Sequence, residues 1–268
     1  MKKKRIIPVV LFREGVVVQS KGFKEFKKLG DPAATLKRLS QWGSDEICFV
    51  DISPNKDWEP LRSDLGFQTD SSFMQTLERI STDSRMPLCC GGGIRALQDV
   101  EDRIERGADK VLITSLVNEK PELIEEIVRN FGSQVLVAGI DVRNNGGNFQ
   151  VMTRSGNSAV ELNLSGYLEY VQNLGVGEIF LHSIDRDGMK NGFDLELINK
   201  ITNEVSVPVI VCGGAGSWEH FAEVLVETNA DGVAAANIFQ HVDQSVYQAH
   251  RFLYNLGLPV RPPQLFEI

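Results

Sequence analysis

Residues 86–94 read MPLCCGGGI and residues 207–215 read VPVIVCGGA. Each is a short apolar run that closes in glycines, and the two align without a gap. Such a run reads as a buried strand, and the amphipathic segment after each, about 95–107 and 217–228, reads as a helix. The match extends on both sides. GSDEICFVDI from Gly43 pairs with GVGEIFLHSI from Gly175, and GADKVLITS from Gly107 pairs with NADGVAAAN from Asn229. The chain is therefore read as a duplication, with halves of about 1–131 and 132–268. Further strands begin near Arg5, Glu46, Lys110, Val135, Glu178 and Asp231, and further helices cover about 31–42, 71–82, 119–131, 164–174, 194–203 and 243–256. Eight strand–helix pairs in succession, with no linker between them, predict an α/β fold in which residues 1–268 form a single (β/α)8 barrel.

The halves differ chiefly after the second strand. There SPNKDWEPLRSDLGFQTDSS, about 53–72, inserts a polar segment on the face where barrel enzymes carry their sites, and it reads as a lid or docking loop. A hydrophobic fraction of 42% suffices for one large core. The net charge of −8 argues against a nucleic-acid partner, because no excess of positive charge is available to neutralise phosphates. The four cysteines (Cys48, Cys89, Cys90 and Cys212) lie in apolar runs without CxxC spacing, so they read as reduced core residues and no metal site is expected. No run of about 18 apolar residues is present, and MKKKRIIPVVLF lacks the pattern of a secretory leader. The expected setting is cytoplasmic, away from membranes.

The strand ends carry the chemistry. CGGGIR (Cys90–Arg95, with Gly92 and Gly93) and CGGAGS (Cys212–Ser217, with Gly213 and Gly214) each join a strand to a helix. Glycines let a phosphate approach the backbone, and N–H groups at a helix start supply donors. Two such turns in matching repeats fit a phosphorylated small molecule with two separated phosphate groups. Thr114 and Ser115 after the fourth strand, and Ala236 and Asn237 after the eighth, add to the same rim. Asp51, Asp141, Asp185 and Asp187 stand at strand ends; Asp185 reads as structural, and Asp141, closing an apolar strand, is the candidate for proton transfer. His182 faces either the helices or the mouth. At the opposite end, Arg5, Glu46, Lys110 and Glu178 open their strands, either as a solvated rim or as a ring of alternating charge. No cofactor is expected.

KRIIP, GDP, DEICFVDI, GGGIR, GADKV, FGSQVLVAGID, FQVMTRSG, GEIFLHSIDRDG, NGFDLELI and PVIVCGGAGSWEHF together resemble the cyclase subunit of imidazole glycerol phosphate synthase nearly end to end. The resemblance implies a bis-phosphate ribulosyl ligand at the mouth and a glutaminase subunit docked at the base, near Asp109, sending ammonia along the axis. It makes Arg5, Glu46, Lys110 and Glu178 a charged gate, and it places Gly93, Ser115, Gly188, Gly214 and Asn237 in phosphate-binding segments. The family pairs two aspartates, on strands 1 and 5, as acid and base; this sequence keeps Asp141 and has Leu11 in the other position. Gln19 stands where the mobile loop after strand 1 carries a lysine. REGVVVQSKGFKEFKKLGDP and the enlarged second loop resemble a branch tied to acetamidino or amide modification of bacterial surface sugars, which works with a glutaminase and an ATP-dependent amidotransferase. The reading that follows is a barrel subunit that receives and passes on ammonia for such a sugar. One alternative is a histidine-pathway cyclase in which Glu14 or Glu25 replaces the lost acid. A non-catalytic scaffold that binds a phosphorylated metabolite is the other.

Overall fold

The apolar runs form a closed barrel in the computed structural model, which describes residues 2–21, 25–59, 67, 69–82 and 86–267. Its eight parallel strands are β1 (Arg5–Arg13), β4 (Ile47–Asp51), β5 (Leu88–Gly91), β6 (Lys110–Ile113), β7 (Leu136–Asn145), β10 (Glu178–Ser183), β11 (Val209–Cys212) and β12 (Gly232–Ala235). They pair in that order, and β12 returns to β1 with Arg5 opposite Gly232, so no barrel strand is left with an open edge. Helices α1 (Pro32–Gln41), α2 (Phe73–Ser81), α3 (Leu97–Glu105), α4 (Leu116–Glu119), α5 (Pro121–Phe131), α6 (Leu164–Asn173), α7 (Leu195–Glu204), α8 (Trp218–Glu227), α9 (Ile238–His241) and α10 (Ser245–Asn255) surround it. Side-chain caps start several of them: Asp31 accepts from the Ala33 and Ala34 N–H groups, Ser72 from Gln75, Asn163 from Gly166 and Asp194 from Leu197.

Alternation along the strands sorts two apolar layers. Ile6, Val10, Ile47, Phe49, Ile179 and Leu181 pack outward against the helices. Ile7, Val9, Cys48, Cys89, Val137 and Ile210 fill the inside of the barrel, with Leu11, Leu112 and Phe180 above them. The inward parity of β1 is thus Arg5, Ile7, Val9 and Leu11, and that of β10 is Glu178, Phe180 and His182. On β1 and β10 a charged residue at the base and Leu11 or His182 at the mouth follow from the same period of two.

The duplication also carries a hairpin in each half that the strand count does not foresee. β1 continues through Glu14 and Gly15, both at positive φ, into β2 (Val16–Lys21), which pairs with β3 (Glu25–Gly30). β7 turns at Gly146 and Gly147 into β8 (Asn148–Thr153) and then β9 (Ser158–Ala159). The GG pair flanked by strand-forming residues is a hairpin signal in its own right. Both ends of the polar insert are tied down. Trp58 donates from Nε1 to the Asp70 carbonyl at 2.8 Å and packs on Phe12, which meets Phe49 and Phe73 at ring centroids 5.5 Å apart. Residues 60–66 and 68 of the insert lie outside the described residues. Among the described residues, no helix is long and apolar enough to cross a membrane.

Candidate functional site

The base of the barrel is built from four strand openings. Arg5 reaches Glu46 at 2.8 Å and also pairs with Glu178; Lys110 reaches Glu46 at 2.7 Å and Glu178 at 2.8 Å. Each acid therefore bridges both bases, and the four side chains close a ring across the axis. Glu46 and Glu178 are only 5% exposed. Burial by itself would lower the Arg5 and Lys110 pKa values, but the facing carboxylates outweigh it and hold both above their ordinary positions. The solvated-rim reading fails here because the inward parity of four strands leaves these charges no other partners. Replacing Lys110 by Met leaves two buried carboxylates sharing Arg5 and is expected to cost about 3–5 kcal/mol of unfolding free energy, measured by urea denaturation. An unchanged midpoint would mean that water already screens the ring. Asp109 lies exposed beside it, and its Oδ2 accepts from the Leu88 N–H at 2.8 Å. Asp45 and Asp231 do the same for Ile6 and Val209, so Asp109 belongs to a set of aspartates that tie the entrance of one strand to its neighbour.

At the other end the mouth opens into a cavity of about 500 Å³. Leu11, Asp51, Gly92, Gly93, Thr114, Ser115, Asp141, His182, Asp187, Ala236 and Asn237 all line it. Gly188, Gly213 and Gly214 are not among its lining residues, whereas Cys212, which opens the second glycine turn, is. Both glycine turns are required by close backbone approach. A Cβ at Gly92 (φ +85°) would stand 1.9 Å from the Asp51 carbonyl oxygen, and one at Gly214 (φ +105°) would stand 2.1 Å from that of Gly192. Buried Arg103 holds the first turn by donating to the Gly92 carbonyl at 2.6 Å. Two of the donors just before α3 are taken, since the Arg95 and Ala96 N–H groups both donate to Asp99 Oδ2, at 2.8 and 3.0 Å. An anion there would be met by the glycine turn itself and the Arg95 side chain.

The carboxylates separate by environment. Asp185 accepts from the Asn144 N–H at 2.6 Å and organises the loop after β10. Asp51 accepts from the Ser53 N–H at 2.9 Å, and burial raises its pKa despite that bond and the charge of Arg103. Asp141 lies opposite His182 in the β7–β10 ladder, and the His182 Nδ1 stands 3.3 Å from Asp141 Oδ1. The His182 Nε2 stands 3.6 Å from Asp187 Oδ1. Burial would lower the imidazole pKa, but the two carboxylates reverse the sign and hold it at about 10. His182 therefore stabilises the fold fully below its unfolded value near 6.5, and this contribution is lost as the pH rises through about 10. The inward orientation was readable: His182 is four residues from Glu178, so the placement of Glu178 on the axis puts both on one face.

No acid replaces Leu11 from the first hairpin. Glu14 sits in the β1–β2 turn with its N–H on the Ser53 hydroxyl, and Glu25 is exposed on β3; neither lines the cavity. Gln19 pairs with Lys27 in the β2–β3 ladder, while its neighbour Ser20 reaches the mouth and its carbonyl accepts from Asn237 Nδ2 at 3.4 Å.

Residues 5–244, the span holding every charge of the base and every lining residue of the mouth, match the family described as Histidine biosynthesis protein. The chain belongs to this family. Within it, the chain is 36% identical to the imidazole glycerol phosphate synthase subunit HisF of Alkaliphilus metalliredigens (strain QYMF) over 259 residues, 96% of this chain and 98% of that protein. The family's barrel is thus HisF-like from base to mouth.

Proposed function

We propose that this chain is the barrel subunit of a glutamine-dependent synthase of the imidazole glycerol phosphate synthase type. It takes ammonia at the base from a glutaminase subunit and joins it to a bis-phosphate ribulosyl ligand at the mouth. The observation that carries the reading is the coaxial placement of a closed charged ring at one end of the barrel and a 500 Å³ polar-rimmed cavity at the other. The name of the HisF relative supports the cyclase as the reaction ahead of the sugar-modification branch. In this reading Asp51, Gly92, Gly93, Thr114, Ser115, Asp187, Ala236 and Asn237 hold the ligand from the cavity wall, with Gly188, Gly213 and Gly214 shaping the rim behind them. Asp141 moves protons. Arg5, Glu46, Lys110 and Glu178 gate the axis, and the glutaminase docks on the base around Asp109.

The test supplies the purified chain with ammonia and a bis-phosphate ribulosyl precursor. Turnover of about 1 per second or faster is expected. Adding the glutaminase should then let glutamine replace ammonia. A rate lower by two or more powers of ten removes the cyclase assignment. Leu11 favours the second reading in that event, because an aliphatic side chain neither donates nor accepts a proton: delivery of ammonia to an ATP-dependent amidotransferase that modifies a surface sugar. Its mark is glutamine-dependent product only when all three proteins are present.

A further inference from the structure

The first glycine turn is backed by a buried cation. Arg103, on α3, is only 3% exposed and does not line the mouth; it lines a smaller cavity of about 220 Å³ that shares Asp51 and Gly93 with the mouth. Its guanidinium donates from Nη1 to the Asp99 carbonyl and from Nη2 to the Gly92 carbonyl, both at 2.6 Å, and lies 5.4 Å from the centre of the Phe73 ring. Nε is buried without a hydrogen-bond partner. Among the described residues no carboxylate forms an ion pair with Arg103: Asp99 pairs with Lys56, and Asp102 with Arg106. A buried charge that faces only carbonyls and a ring is costly to keep, and burial lowers the Arg103 pKa against the pull of the more distant carboxylates.

The guanidinium acts on the mouth through one peptide bond. The Gly92 carbonyl and the Gly93 N–H belong to the same trans peptide, so the N–H points away from Arg103. This N–H has no partner among the described residues, and Gly93 lines the mouth. A cation on the carbonyl oxygen polarises the peptide and makes its N–H a stronger donor. The charge also acts through space. A Cβ at Gly93 would stand 3.6 Å from Arg103 Nη2 and 3.8 Å from Asp51 Oδ2, so a cation and an acid flank the same residue. Asp51 by itself would repel an anion there.

We propose that Arg103 is the buried counter-charge of the first glycine turn, offsetting Asp51 and polarising the Gly92–Gly93 peptide so that the turn accepts a dianionic phosphate group. Arg103 does not touch the ligand and is a positioning residue. Arg95, on the rim, is exposed, so water and salt screen its charge and it counts for less. The assignment rests on the reading of a bis-phosphate ligand above and names what recognises one of its ends.

The probe is inorganic phosphate, titrated into the whole chain and followed by nuclear magnetic resonance at the Gly93 amide, with the Gly213 and Gly214 amides as the control in the same sample. Arg103→Gln keeps a donor for the carbonyls and removes the charge. Affinity at Gly93 is expected to fall about tenfold or more, as befits one charge a few ångströms away in a partly buried site, with less than about a twofold change at the second turn. Arg103→Lys retains the charge and should stay within about threefold of the unmodified chain. Adding Asp51→Asn to Arg103→Gln removes the opposing acid and should regain most of the loss, a rescue that a merely structural role does not give. With the bis-phosphate ribulosyl precursor and ammonia, Arg103→Gln should raise KM by about tenfold and leave kcat within about threefold. Thermal unfolding identifies a variant that fails to fold. Asp51→Asn alone then carries the test, because an unopposed Arg103 should tighten phosphate at Gly93 by about threefold or more. Unchanged affinity in folded Arg103→Gln, equal losses in the Lys and Gln variants, or no gain from Asp51→Asn overturns the proposal. Phosphate binding as expected with no turnover by the unmodified chain overturns the cyclase reading alone.

Discussion

Asp141→Asn is expected to lower kcat for ammonia-dependent cyclisation by about two to four powers of ten, with little change in KM. The substitution keeps the size and much of the hydrogen-bonding capacity of the side chain, so the barrel should fold. What it removes is the charge at the end of β7, where Asp141 faces both the cavity and His182. Two consequences separate this from a general disturbance. The imidazole of His182, held at about 10 by Asp141 and Asp187 together, should titrate at lower pH once one carboxylate is gone, and nuclear magnetic resonance of the ring reports this without any ligand. Inorganic phosphate, which is expected at the glycine rim, should bind as before. A variant that keeps full kcat while its His182 titration moves would show that Asp141 tunes the mouth but does no proton transfer.

Gly92→Ala is expected to cost about 3 kcal/mol or more of stability, read from urea unfolding. Two costs add. An L-residue at a φ of +85° is strained, and the new Cβ would overlap the Asp51 carbonyl oxygen at 1.9 Å, which is backbone and cannot swing aside. Relief requires the β5 turn to move away from the end of β4, and Asp51 and Gly93 line the mouth on either side of that contact. Phosphate affinity should therefore fall along with stability. Gly147→Ala is the control, since Gly147 has a similar φ of +90° but nothing within 4 Å of the added atom, and it should cost only about 1 kcal/mol. Equal losses in the two variants would mean that the positive φ alone, and not the close approach, governs Gly92.

Much of this molecule is written locally. The barrel strands begin within a residue or so of the expected positions, because each is an apolar run bounded by Gly, Pro or a charged residue, and burial on both faces makes such runs continuous. The helices follow from caps such as Asp31, Ser72 and Asp194. The two hairpins escaped that reading because their strands pair antiparallel above the barrel, where no helix interrupts them and the alternation of strand and helix carries no signal.

The site was legible to a smaller degree. Strand-end position brought Asp51, Asp141, Thr114, Ser115 and Asn237 to one cavity, since any residue that closes a parallel strand of a barrel must reach the same rim. Gly213 and Gly214 follow the same rule without being among the lining residues, and a Cβ added at either would meet neighbouring backbone, at Ser183 or Gly192. Two N–H groups just before α3, those of Arg95 and Ala96, go to Asp99, a side chain whose capping role competes with a ligand for them.

The sequence by itself determined the barrel and the order of its strands, because these depend on short apolar runs, the helices between them and short-range turns. It also determined that Leu11 stands where its repeat partner has an acid. Whether Arg5, Glu46, Lys110 and Glu178 form a rim or a ring, and whether His182 packs among helices or sits between two carboxylates, only the tertiary structure decided. Both depend on which strands become neighbours and at what register. A closed barrel sets β7 beside β10 and brings Glu46 within reach of Lys110, and at separations near 3 Å the interaction of buried charges outweighs the local preference of each residue for water.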